Sequence, residues 1–323
     1  MKIMEIDRLK YGDQWQAWYN KYYDLRLLDR TKTHSYNFDY DVITPIPEIT
    51  KYNGDTLKEI CIKEAKRIYS IAQKPLSLMY SGGIDSTMIA CIFIELDIPF
   101  TLLYTPESII ENPKFFTEIT SGYLSNDKIK FVNIKDMDNI RLFLNQYHTV
   151  TGSLGDQLLN HKYIFTDDTY STLKDCLLDS WQEVDADLVQ LLENQIPSYI
   201  ENYCDFIWWM NFSCRFQFLQ VFHYGIHGFN HFRRENDFTH FFESDEMQLW
   251  GMNNRKLINE FAYDNEPLQQ KKPFKEIIFD TFYDLDYFEN KIKKISLTDL
   301  IQDHERKYLI SNTCLDEKGF IIY

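Results

Sequence analysis

The sequence predicts an α/β fold: a parallel sheet with flanking helices, followed by a mostly helical C-terminal region. Three observations carry that expectation. Short apolar runs at 75–80, 99–105 and 129–134 have the length of buried strands. Segments of helical period alternate with them through short connections, as parallel strands joined by crossover helices require. From about residue 175 the apolar spacing turns helical and strand signals thin out.

The elements follow in chain order. Residues 1–53 are rich in Tyr, Asp and Trp and carry the loop-like "TPIPEIT", so they read as a lead-in segment. Residues 54–73 read as a helix. Thr56 and Glu59 have the spacing of a capping box, and Leu57, Ile60, Cys61, Ala65, Ile68 and Ile71 keep one apolar stripe. The strand candidate at 75–80 runs into two glycines and then a helix from about 85 to 96. Strands at 99–105 and 129–134 follow, then a helix at 136–147 and another beginning near Asp156. The expected organisation is a lead-in (1–53), an α/β domain (54–175) and a helical region packed on it (176–323).

Composition narrows the function classes. Of 323 residues, 44% are hydrophobic, ample for a buried core. The formal net charge of −15 repels phosphate backbones and argues against a long nucleic acid partner. Short basic stretches such as "KIKK" (291–294) and "QQKKPFK" (269–275) are the exceptions. No two of the six cysteines stand at C-x-x-C spacing, which argues against a zinc ribbon or a dithiol pair. Scattered cysteines in a chain this size read as reduced, buried hydrophobes. The N-terminus lacks an apolar signal segment, and the longest apolar run, "MIACIFI", is far too short to span a bilayer. A cytoplasmic protein without membrane contact is expected.

The stretch that carries chemistry is "LSLMYSGGIDSTMIACIFIE", 76–95. A loop between a strand and a helix is a natural anion site, because the helix N-terminus offers unpaired N–H groups and a positive dipole end. Gly82 and Gly83 let the backbone turn tightly and let phosphate oxygens approach. With Ile84 completing the turn, Ser81, Ser86 and Thr87 add hydroxyl donors. Asp85 is the odd member, since a carboxylate beside phosphate makes sense when a divalent cation lies between them. Neither G-x-x-x-x-G-K-[ST] nor a G-x-G-x-x-G after a strand is present.

"SGGIDS", 81–86, resembles the pyrophosphate-binding PP-loop of the ATP pyrophosphatases, a branch of the adenine nucleotide alpha hydrolase-like fold. That superfamily includes asparagine synthetase, NAD synthetase, GMP synthetase and several tRNA-modifying enzymes. Its members cleave ATP between the α and β phosphates while the loop holds the departing pyrophosphate. A second stretch, "TVTGSLGDQLLNHKYIF" (149–165), resembles the Ser-Gly-Glu-Gly-small-Asp-Glu-Leu-Phe-Gly segment of asparagine synthetase-type domains. Thr151, Gly152, Gly155, Asp156, Gln157 and Leu158 take equivalent places. The resemblance implies that Asp156 joins Asp85 on Mg²⁺. It groups Gly152, Gly155 and Tyr104, at the end of the second strand candidate, with the loop as ATP-binding residues. Asp156 alone also suits a helix N-cap.

"THFFESDEMQLWGMNN" (239–254) looks like the family's Pro-Phe-Leu-Asp segment, with Glu243 in the aspartate's place. "KKPFKEIIFDTF", with the basic stretch after it (271–294), looks like the region whose lysine supports adenylation. Lys293 is the first match, Lys294 the alternative, and a solvated basic patch the competing explanation. Two departures from the family stand out. Ser153 falls where the family has its glutamate, and the glutaminase domain expected before the PP-loop is missing from the sequence. The implied activity is ATP-dependent adenylation of a small-molecule carboxylate. Amide formation follows with ammonia, an amine, or nitrogen from a separate donor protein. Two other readings stay open: modification of a nucleotide or tRNA base, and a non-catalytic nucleotide-binding partner subunit, which Ser153 favours.

Other features weigh less. His223, His227 and His231 are spaced for one helix face, but Gly225, Gly228 and Asn230 weaken that helix and no further ligand stands at metal-binding spacing. The aromatic cluster at 207–218 reads as core, because only Arg215 interleaves with it. Arg233 and Arg234 suit a carboxylate substrate, phosphates or a solvated surface equally.

Overall fold

The computed structural model describes residues 30–31, 42–121, 128–134, 145–159, 197, 199–200, 205, 208–209, 211–217, 219–220, 237–258, 271–291, 308–310, 313–315 and 321–322. Among these, five strands form one wholly parallel sheet: β1 (Leu76–Met79), β2 (Phe100–Tyr104), β3 (Ile129–Asn133), β4 (His148–Thr151) and β5 (Phe238–His240). Their order is β3-β2-β1-β4-β5. Leu78 lies at the centre, paired with Leu102 on one side and Val150 on the other. The expected α/β class is therefore present, and the first three strands fall inside the sequence-derived ranges. The helix expected at 136–147 lies largely outside the described residues.

The helices follow from local chemistry. α1 (Leu57–Ile71) begins at Thr56, whose side chain accepts from the Glu59 backbone N–H. The Glu59 carboxylate in turn accepts from the Thr56 N–H at 2.8 Å, completing the capping box. Its stripe Leu57, Ile60, Cys61, Ala65 and Ile68 is buried, whereas Ile71 at the end is exposed. α2 (Ile84–Glu95) is apolar on every side and buried from Ser86 through Phe93, as such a helix must be. It packs against β1, α1 and α7 (Lys272–Phe282). Each fully buried Ile or Phe contributes about 1.5–3 kcal/mol, so α2 is a large part of what holds the sheet to the C-terminal helices. Short helices α3 (Pro106–Glu111), α4 (Pro113–Thr120) and α5 (Gly155–Leu158) follow β2 and β4; α6 (Asp245–Asn253), α7 and α8 (Leu285–Asn290) come after β5. Pro opens α3 and α4 and is the second residue of α7, in the first turn, where its missing N–H is harmless.

The region after residue 176 has the expected helices and also strands the sequence did not announce. β5 joins the central sheet through β4. Near the C-terminus, β6 (Tyr308–Ile310), β7 (Thr313–Leu315) and β8 (Ile321–Ile322) form a small antiparallel sheet. The aromatic cluster is core: Trp208, Trp209, Phe212 and Phe216 are buried. The lead-in is tied to that core by Arg30. Its Nη1 donates to the Thr44 carbonyl at 3.0 Å and to Gln248 Oε1 at 2.7 Å, with the guanidinium 4.1 Å from the Phe216 ring centre. Cys61 and Cys91 are buried free thiols, pushed well above the usual range by desolvation. No helix among the described residues is long and apolar enough to cross a membrane.

Candidate functional site

The strand order creates the site. The chain leaves β1 towards β2 and β3, then returns to β4 on the opposite side of β1. The connections after β1 and β4 therefore leave the sheet in opposite directions, which makes the carboxyl ends of these strands the switch point at which open α/β sheets bind ligands. Both glycine-containing segments singled out in the sequence sit there.

The first follows β1. Gly82 has φ +75°, a conformation open to glycine but not to ordinary L-residues. A Cβ at this position would also strike the Ser108 carbonyl oxygen and lie 2.8 Å from the Glu111 Cβ. Gly83 then caps α2 with extended backbone. The serines brace the turn. Ser81 Oγ and Ser86 Oγ are 3.0 Å apart, the Gly83 N–H donates to Ser81 Oγ at 3.2 Å, and Ser86 Oγ donates to the Gly83 carbonyl at 3.2 Å. Ser86 and Ile84 are buried; Ser81 and Asp85 are partly exposed. Thr87 is fully buried beside the phenols of Tyr80 and Tyr287, and its hydroxyl is the polar group these two phenols face. Tyr104 closes β2 half-buried, level with Tyr80, whose N–H donates to the Leu103 carbonyl at 2.8 Å.

The second segment follows β4 and packs directly on the first. A Cβ on Gly152 would lie 3.0 Å from the Ser86 backbone nitrogen, and one on Gly155 would lie 2.9 Å from Asp85 Cγ. These glycines let the two turns approach. Between them, Leu154 takes φ +80° while buried. The resembling pattern has its second glycine at this position, and a leucine here stores backbone strain of about 1–2 kcal/mol. Ser153 donates its N–H to Thr151 Oγ1 at 3.4 Å. Asp156 then stands in the first turn of α5.

The group between the two carboxylates is Lys271, which caps the N-terminus of α7. Its Nζ is 2.9 Å and 2.7 Å from the Asp85 oxygens and 2.6 Å from Asp156 Oδ1. The residue is only 8% exposed. Burial alone would lower the ammonium's pKa, but the carboxylates of Asp156 and Asp85 outweigh it and leave the value above that of an ordinary lysine. Sequence reasoning missed Lys271. The available signal was a Lys-Lys-Pro run at the start of an amphipathic helix, which marks a helix N-terminus, but nothing in it points to two aspartates 186 and 115 residues away.

Lys293 and Lys294 lie outside the described residues, as do His223, His227, His231, Arg233 and Arg234. Lys291, which begins the same basic stretch, makes a buried ion pair with Glu111, the residue whose Cβ backs Gly82. Glu243 sits just past β5, buried, accepting from Gln220 Nε2 at 3.1 Å.

Among the described residues no group of three or more His, Cys, Asp or Glu side chains could hold a metal ion. Two carboxylates do converge on one point, and a cation, the Lys271 ammonium, stands there. Mg²⁺ is ordinarily held by one or two carboxylates, with phosphate oxygens and water completing its octahedron, so Asp85 and Asp156 fit that ion together with a bound polyphosphate. Compared with known proteins, the chain matches no family model and no curated sequence; what it possesses is a parallel α/β sheet, compatible with a PP-loop domain, whose switch point carries two interlocked turns and one shared cation position.

Proposed function

We propose that the protein is a PP-loop ligase of the asparagine synthetase type that adenylates a small-molecule carboxylate and converts it to an amide. The observation that carries this reading is the convergence of Asp85 and Asp156 on one cation beside a glycine turn at a helix N-terminus. In the proposed first step a substrate carboxylate oxygen attacks the α-phosphorus of ATP. The bond from that phosphorus to the bridging oxygen breaks, and the electron pair leaves with pyrophosphate. An amine or ammonia then attacks the acyl carbon. AMP departs with the electron pair of the acyl–oxygen bond, and the nitrogen loses a proton.

The residues take distinct roles. The 81–86 backbone, with the N–H groups of the first turn of α2, binds pyrophosphate oxygens. Ser81 and Ser86 hold that backbone in shape. Asp85 and Asp156 would hold Mg²⁺, which supplies neutralisation of phosphate charge. Lys271, held between Asp85 and Asp156, would stabilise charge developing on the phosphates. Ser153 cannot act as the carboxylate that the resembling family carries at its position, so any base or charge partner must come from elsewhere, including the substrate amine.

The test is to incubate the protein with ATP, Mg²⁺ and a small-molecule extract of its own cells, and to identify the nucleotide products by chromatography. AMP and pyrophosphate are expected. ADP and phosphate would overturn the reading, and ATP that binds without being cleaved would replace it with a nucleotide-binding partner subunit.

A further inference from the structure

We propose that Lys271 is an internal counter-ion that keeps the Asp85–Asp156 position closed to divalent cations until nucleotide binds, so that metal enters by exchange with the lysine ammonium. The inference rests on the function proposed above for the role of nucleotide, but its central element, the exchange, stands on the geometry of three side chains.

An ammonium has three N–H donors and no acceptor. Lys271 has three carboxylate oxygens within 2.9 Å, two from Asp85 and one from Asp156. Its hydrogen-bonding capacity is fully used within the pair, and its side chain is 10% exposed. The ammonium therefore occupies the point where the two carboxylates converge. A divalent ion cannot share that point with it, because two cations would meet at contact distance where screening by water is weak. Entry of the metal requires the ammonium to leave. The side chain is a flexible four-carbon stem bearing a compact point charge, so it can leave by rotamer change while α7 stays packed on α2.

The ammonium also needs somewhere to go. Removed from the aspartates and left in a mostly buried crevice, it would be an unpaired buried charge, which is costly. Among the described residues, the anionic groups that hold it there are Asp85 and Asp156. A polyphosphate bound at the 81–86 turn brings new anionic oxygens next to both aspartates, and so supplies the lysine with a second partner while completing the coordination of the metal. Metal and nucleotide thus bind cooperatively. By linkage, each raises the affinity for the other by the same factor. The consequence for function is that the free protein does not hold a divalent cation, and that Lys271 is delivered to the phosphates in the same event that loads the metal.

The test reads Mn²⁺ binding, not activity. Free Mn²⁺ is followed by electron paramagnetic resonance as it is titrated into wild-type protein, with and without a non-hydrolysable ATP analogue, and into Lys271→Met without nucleotide. Wild type alone is expected to bind Mn²⁺ at least about tenfold more weakly than with the analogue, as coupling of ordinary size gives. Lys271→Met alone is expected to bind it at least about tenfold more tightly than wild type alone, and Lys271→Met with Asp85→Asn is expected to lose that gain. Equal Mn²⁺ affinity of nucleotide-free wild type and Lys271→Met would overturn the exchange. If Lys271→Met does not fold, the wild-type arms decide: Mn²⁺ bound as tightly without the analogue as with it overturns the proposal. The two levels separate cleanly. Analogue-dependent Mn²⁺ binding without a gain in Lys271→Met leaves the ligase reading standing and removes the exchange. A gain in Lys271→Met with no binding of the analogue keeps the lysine–metal competition and removes the ligase reading.

Discussion

The two turns at the switch point do the same job with different means. Each leaves a parallel strand, each opens a helix, and each places an aspartate in that helix's first turn. The turn after β1 uses glycine where the backbone is left-handed, and feeds a twelve-residue helix buried along its length. The turn after β4 puts Leu154 in the left-handed position and opens a helix of only four residues. The first turn is thus relaxed and anchored by the core. The second is strained and held in place by what it touches: Asp85 against Gly155 on one side, and on the other the core, through buried Leu154 and Leu158 and the Trp208 indole N–H on the Leu158 carbonyl at 3.0 Å. A rigid cradle paired with a dependent partner is economical for a site that must bring two carboxylates to one cation, because only one of them needs its own scaffold.

The largest expected effects break the first turn. Lys291→Ala would remove the ammonium that pairs with the buried Glu111 carboxylate behind Gly82, at a cost of about 3–5 kcal/mol. Chemical denaturation measures it, and replacing Lys291 and Glu111 together by Met and Leu should recover most of the loss. Gly82→Ala should cost about 3 kcal/mol or more, since backbone strain adds to a collision with the Ser108 carbonyl. Gly54 provides the control: its φ is +86° but nothing lies within 4 Å of an added Cβ, so Gly54→Ala should cost only about 1 kcal/mol.

Changes in the second turn should act on function more than on stability. Gly155→Ala pushes on Asp85 Cγ and should lower AMP formation by about tenfold, while moving the denaturation midpoint less than Gly82→Ala does. An equal or larger loss of stability than at Gly82 would contradict the idea that the second turn is the dependent one. Lys271 should contribute steadily across the neutral range. Its folded pKa is raised above the ordinary value near 10.5, so the stability it provides is fully present below that value and is lost only as the pH climbs through the higher folded one. A decline between pH 6 and 9 that vanishes in Lys271→Met would contradict this. The smallest effect belongs to Tyr287→Phe. It removes a buried hydroxyl whose one polar neighbour, the Thr87 hydroxyl, lies beyond good hydrogen-bond geometry, and should change thermal unfolding by no more than about 0.5–1 kcal/mol.

The same contrast explains what could be read from the sequence. The first turn is legible because Gly-Gly stands between an apolar run and an apolar helix, and both neighbours have the right length. Strand β4 is not, because three of its four residues, His148, Thr149 and Thr151, are polar. They are buried through partners on neighbouring strands: Thr149 Oγ1 lies 3.1 Å from Ser77 Oγ, and His148 Nε2 lies 2.8 Å from Thr239 Oγ1. Such cross-strand bonding has no signature in hydrophobic period. β5 is hidden for the same reason and by its three-residue length. Lys271 is hidden because its importance lies in distance across the fold, not along the chain; the family resemblance led instead to the basic stretch twenty residues further on. The carboxylates Asp85 and Asp156 could be paired only through that resemblance, and the structure brings them within reach of a single ammonium.

The central claim is that the two turns make one cation site serving one reaction. It is tested most directly by comparing AMP formation from ATP and Mg²⁺ by wild type, Asp85→Ala and Asp156→Ala under the same acceptor conditions, with folding of each variant checked by circular dichroism. Loss of AMP formation by about a hundredfold or more in both variants is predicted. Retention of AMP formation in Asp156→Ala, when Asp85→Ala has lost it, would contradict the shared site.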